Sequence, residues 1–242
     1  MTALSCASCG RALPPPGPKI LETGYFLLDD IGREEPGYGL YSYALVVNHG
    51  DRSAKFLSEV FSAIPPVEGL ATQHSQINLL SIPLKKNKAE ELRDMLDTND
   101  SYLVDSSAAF AQDFYDYKLA RTVLDHICDP PAEGVKVVCE GDLSRGPYIF
   151  TYAQPASKLD PVPPPFLFMD LSDVNERAFP EIIAAFKAQV KREDINDQAK
   201  IDTLRLKVLS IVLAAADWQV PAQKAIADIV HAASGQSEKN KK

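Results

Sequence analysis

His49 and Asp51 stand at the end of the most strand-like run in the chain, and a histidine beside a carboxylate is the minimum equipment for general acid–base or hydrolytic chemistry. Four carboxylates, Asp29, Asp30, Glu34 and Glu35, crowd one loop, where oxygen ligands could hold a hard cation. Cys6 and Cys9 form a CxxC followed by Gly10, which is half of a zinc ribbon, a motif whose paired thiolates grip a tetrahedral ion. A structural use of the same residues competes in each case. A turn histidine can serve one hydrogen bond, and an acidic turn can simply be solvated. The CxxC lacks its second half, because Cys128 and Cys139 are far away and not closely spaced. Those two are expected as separate small apolar residues of the core.

Other catalytic signatures are missing. Gly37 and Gly39 make a GxG, but no third glycine follows, and the next residues read as a strand, so no helix N-terminus is offered to a phosphate. The chain contains no GxxxxGK[ST], no GxSxG and no HExxH, and His49, His74, His126 and His231 lack metal-ligand spacing. No cofactor is expected.

The net charge of −8 opposes nucleic acid as the main partner, since phosphate binding needs clustered Lys and Arg, and it equally disfavours anionic lipid surfaces. The basic cluster Lys85, Lys86 and Lys88 runs straight into Glu90 and Glu91 and reads as a solvated helix start. With 45% hydrophobic and 24% charged residues the chain can bury a core and lies far from the composition of disorder. No run approaches the roughly 20 apolar residues that span a bilayer. The best candidate, Leu204 to Ala216, is interrupted by Arg205 and Lys207 and reads as a buried helix. As written, the chain is expected in the cytoplasm. Residues Met1 to Cys6 resemble the last residues of a lipoprotein signal, however, so a start further upstream would make this a cell-envelope lipoprotein anchored through Cys6 or Cys9.

The elements that must position these residues follow from periodicity and breakers. Residues 1–19 form a Pro-rich leader, 20–234 a single domain, and 235–242 a disordered polar tail. Ile20 to Asp29 and Tyr38 to Asn48 are β-favouring runs joined by a Gly/Pro loop, which predicts a hairpin. Phe56, Leu57, Val60, Phe61 and Ile64 repeat with helical spacing behind Asp51 as N-cap, and Pro65-Pro66 stops them. Ile77 to Leu84 reads as a strand, and Asn87 opens a short helix. From Ser106 to Cys128 one long helix is predicted, with Tyr115 off its apolar stripe. Val135 to Cys139 and Tyr148 to Tyr152 suggest a second hairpin, and Phe166 to Leu171 a strand joining the same sheet. Helices follow from Asp173, over 196–218 and over 221–233.

The expected fold is α+β: a mixed β-sheet of about five or six strands with helices packed on it and a helical C-terminal third. The expected function is that of a non-enzymatic interaction or assembly protein, with a protein partner or a second copy. Absent catalytic motifs and the very apolar segment near Leu204 motivate it. The alternative is a small-molecule, hydrolase-like enzyme with a loop-built site near His49, Asp51 and the Asp29 to Glu35 loop.

Overall fold

In the computed structural model, which describes residues 19–88, 91–92, 110, 113–129, 139, 143–158 and 166–191, the aromatic and aliphatic runs become five strands. These are β1 (Glu22–Leu28), β2 (Leu40–Leu45), β3 (Ile77–Pro83), β4 (Tyr148–Tyr152) and β5 (Phe166–Asp170). They form one sheet in the order β1-β3-β2-β4-β5. The first three are parallel, and β4 runs antiparallel to both β2 and β5. Three helices of eight or more residues are described: α1 (Asp51–Ala63), α2 (Tyr117–Ile127) and α3 (Phe179–Val190). The mixed sheet with helices packed on it is the expected α+β arrangement, and Phe166–Asp170 joins the sheet that contains β2.

The predicted hairpin between the first two strands does not form. β1 and β2 are parallel, with β3 inserted between them. Residues 29–39 therefore run back across the sheet. Eleven residues can extend over roughly 36 Å, well beyond the roughly 20 Å of a six-residue strand, so the loop is long enough to return without a helix. The second predicted hairpin fails as well, because β4 pairs with β2 and β5; residues 135–138 lie outside the described residues.

Register separates the two faces. Tyr25, Leu80, Ser42, Thr151 and Leu167 align across the strands on one face, and Phe26, Ser81, Tyr43, Phe150 and Phe168 align on the other. On the first face the ring of Tyr25 meets Phe61 of α1 edge-on at 5.2 Å, and Phe56 of α1 meets Phe179 of α3 at 5.6 Å. Helix α1 carries the β2-to-β3 crossover and buries Phe56, Leu57, Val60 and Phe61, each worth roughly 1.5–3 kcal/mol when removed from water. Its N-cap is Gly50, at φ 153°, and not Asp51. Asp51 is instead the first helical residue, where its negative charge meets the positive end of the helix dipole.

Across the middle of this first face runs a buried polar stripe. Ser42 Oγ donates to Asn78 Oδ1 at 2.7 Å and shares a hydrogen bond of 2.8 Å with Thr151 Oγ1, and Asn78 also reaches Thr23. Each member spends its polar atoms on another, which is the condition for keeping such groups inside a core.

The long helix predicted over 106–128 is broken. Tyr115 forms an isolated antiparallel bridge with Leu84, and Asp116 then starts α2 by accepting a hydrogen bond from the Leu119 amide at 2.9 Å. A capping aspartate competes with continued helix, so the apolar stripe was read across a break. Cys128 and Cys139 are not separate core residues: they are joined in a disulfide, with Cα atoms 5.5 Å apart. The remaining expected segments lie outside the described residues. These are the leader with Cys6 and Cys9, and the helices and tail beyond 191. Among the described residues no helix is long and apolar enough to cross a membrane.

Candidate functional site

The carboxyl end of the central strand β2 is the natural place to look, because there the sheet changes from parallel to antiparallel pairing and loops diverge. Three loops converge on it: 46–50 before α1, 144–147 before β4, and 171–175 after β5. His49 sits on this rim with its ring centroid 3.8 Å from that of Tyr117. Asp51 opens α1 beside it. Among the described residues no hydrogen bond joins His49 to Asp51, and neither meets the Asp29 to Glu35 loop. Tyr117, whose hydroxyl burial pushes upward in pKa, packs its ring against His49.

The strongest polar feature of the rim is Arg52. Its Nη2 donates to the carbonyl oxygens of Leu171 and of Val174, the latter at 2.6 Å, its Nη1 stands 3.9 Å from Glu176, and its guanidinium lies 5.2 Å from the Phe179 ring centroid. Burial draws its pKa below the ordinary arginine value, opposed by Glu176, Asp173 and Asp170. Arg145 pairs with Asp173 beside it. The group ties the loop after β5 to the start of α1. Arg52 donates through Nη2 to its own chain, while its buried Nε has no hydrogen-bond partner.

The acidic loop is dispersed by the fold. Asp29 pairs with Arg33 at 3.0 Å, and Asp30 caps a short turn by accepting from the Gly32 amide at 3.0 Å. Glu35 is exposed. Glu34 turns inward, 7% exposed, and accepts from the Tyr43 hydroxyl, the Ala156 amide at 3.2 Å and the Ser157 amide at 3.0 Å. The Tyr43 hydroxyl also accepts from the Ala156 amide at 2.7 Å. Burial and then the Glu34 charge raise the Tyr43 pKa well above its ordinary value, so the phenol stays protonated and keeps donating. This arrangement pins the 29–39 crossover and the Ala156–Lys158 turn onto the Tyr43 face; α2 touches the same turn as well as β2 and β3. All three donors belong to the chain itself, so the carboxylate serves as a structural latch. Among the described residues no three His, Cys, Asp or Glu side chains stand together as a metal set. Asp29 and Asp30 thus serve separate local bonds.

Gly39, part of the GxG in the sequence, has a packing role. A β-carbon there would collide with the Ser75 carbonyl oxygen and with Ile20, and the Gly39 amide reaches His74 and Ile77 carbonyls at 3.2 and 3.1 Å. The glycine lets the start of β2 lie against the turn before β3. A cavity of about 500 Å³ lies elsewhere, between the end of α1 and α3, lined by Ala63, Ala184, Lys187, Ala188 and Lys191. Lys187 donates to the Ala63 carbonyl at the end of α1, and burial lowers its pKa, helped by Lys191. Among the described residues this lining holds no carboxylate, hydroxyl or thiol.

Sequence reasoning missed Arg52 and marked Tyr115 only as off the helical stripe; their hydrogen-bond partners lie 119 to 122 and 69 to 71 residues away, too distant for any local pattern to expose them. No protein-family model, curated protein or solved structure matches this chain.

Proposed function

We propose that the protein acts as a non-enzymatic interaction or assembly protein, working through protein–protein contact. The observation that carries this reading is the difference between the two edges of the sheet. On the β1 edge the Tyr25 amide donates to the Pro65 carbonyl at 2.9 Å, and Tyr25 and Pro66 form a bridge. Proline has no amide to offer an incoming strand, so this edge is blunted. At the other edge, β5 pairs with β4 on one side and with no strand on the other among the described residues. Its Leu167, Phe168 and Met169 are buried, and it carries no proline, lysine or arginine. A short apolar edge without such protection is a template for a further strand, with main-chain hydrogen bonds for affinity and apolar side chains for register.

A second copy of the chain is the partner that needs no further assumption, since two β5 edges related by a two-fold axis are self-complementary. The local commitments of His49, Asp51 and the acidic loop support the same reading over the hydrolase-like alternative.

Light scattering on the full chain at micromolar concentration, combined with hydrogen exchange, tests this. The expected result is a mass above that of one chain and β5 amides whose protection rises with protein concentration. A strict monomer whose β5 amides exchange at one rate at all concentrations would sink it.

A further inference from the structure

We infer that the chain folds in an oxidising compartment and that Cys128–Cys139 is a structural disulfide made there. The two Cα atoms are 5.5 Å apart, inside the narrow range that a disulfide bridges without moving the backbone. Both positions are fixed by something other than the bond. Cys128 is the C-cap of α2, its amide donating to the carbonyls of Leu124 at 3.0 Å and Asp125 at 3.1 Å. Cys139 is partly buried and packs against the hydrophobic core.

The chemistry of the pair leaves few other uses. Among the described residues no further His, Cys, Asp or Glu joins it to make a metal set. Reducing compartments hold such thiols apart from oxidation, and disulfides with a structural role belong to secreted, envelope or luminal proteins. Formation proceeds by thiol–disulfide exchange with a dithiol oxidase. One cysteine thiolate attacks the sulfur of the oxidase disulfide, breaking that bond and giving a mixed disulfide. The second thiolate then displaces the oxidase sulfur. The two electrons leave with the oxidase sulfurs, which take up the two protons given by the cysteines and so become the oxidase dithiol. The bond closes a loop of 11 residues' separation at the carboxyl end of α2 and restricts the unfolded chain.

The sequence supplies a clean assay. Trypsin cuts after Arg121, Lys136 and Arg145, so Cys128 and Cys139 fall on different peptides, 122–136 and 137–145, while Cys6 and Cys9 share peptide 1–11. The full-length protein is taken from its own cells, quenched in acid, treated with N-ethylmaleimide, and digested without reductant. The expected product is 122–136 linked to 137–145. Maleimide on both Cys128 and Cys139, or either one linked to peptide 1–11, overturns the inference. As a second measurement, the double variant Cys128→Ser, Cys139→Ser should melt roughly 5–10 °C below the oxidised parent, and reductant should lower the parent to the same point. A parent unmoved by reductant would remove the structural role.

Discussion

The hydroxyl of Tyr115 completes the end of β2: it accepts from the Val46 amide at 2.9 Å and donates to the Ala44 carbonyl at 3.2 Å. The β2–β3 pairing ends at Tyr43 and Ser81, so beyond that point the backbone of β2 has lost its strand neighbour on that side. A side chain replaces it. Tyr115 is fully buried, which raises its pKa strongly and keeps the phenol neutral, able to donate and accept at once.

Replacing Tyr115 by Phe leaves two buried backbone groups unpaired and should cost about 1–3 kcal/mol in chemical denaturation. Tyr117→Phe, at the His49 contact, is the control and should cost less than half as much. Equal effects of the two substitutions would remove the strand-completing role.

Glu34→Gln tests the crossover latch. The carboxylate only accepts, and all three of its partners donate. An amide must turn its NH2 toward one of them, at a cost of about 1–3 kcal/mol. Exposed Glu35→Gln should be silent within about 0.5 kcal/mol. A double-mutant cycle of Glu34→Gln with Tyr43→Phe should show non-additivity of at least about 0.5 kcal/mol, and simple additivity would mean that the two groups do not act together.

Alkaline pH should unfold the protein through its tyrosines. Burial lifts the pKa of Tyr25 to about 12, and raises those of Tyr43, Tyr115 and Tyr152 strongly. In each, the folded state holds the proton more tightly than the unfolded chain, whose value is 10.0. The stability they contribute is therefore complete below pH 10 and falls as pH rises through 10 toward 12 and beyond. Tyrosinate absorbance followed against pH should show these groups silent until circular dichroism reports unfolding, then appearing together. Smooth titration of all nine tyrosines before any loss of structure would contradict their burial.

Local grammar was readable in the sequence wherever one segment decides its own state. Aromatic and β-branched residues placed all five strands, and Pro65-Pro66 ended α1 as read. Partner choice was not readable. The Asp29 to Gly39 loop has the composition of a tight turn, and only its length in space shows that it crosses β3 to reach a parallel position. The helix expected from Ser106 to Cys128 runs past Asp116 because a cap and an exposed helical position use the same residue type. The candidate site suffered most. The shared location of His49 and Asp51 at a strand end was legible, but Tyr117 as the histidine's neighbour, and Glu34 as the carboxylate that latches its loop to the Ala156 turn, depend on contacts 68 and 122 residues away in the chain.

Arg52 offers the sharpest test of how the C-terminal side of the sheet is held. Arg52→Met keeps an apolar stem against Phe179 but removes the donors to Leu171 and Val174, so the loop after β5 loses its anchor on α1. The Leu171 carbonyl keeps the Val174 amide at 3.2 Å, while the Val174 carbonyl loses its donor, and the change should cost about 1–3 kcal/mol. The loss is local in origin, so amides of 171–178 should exchange faster under native conditions before global unfolding is reached. Glu176→Gln, whose carboxylate stands 3.9 Å from the guanidinium and is half exposed, should change stability by less than about 1 kcal/mol. If Glu176→Gln costs as much as Arg52→Met, charge and not the carbonyl bonds holds this loop.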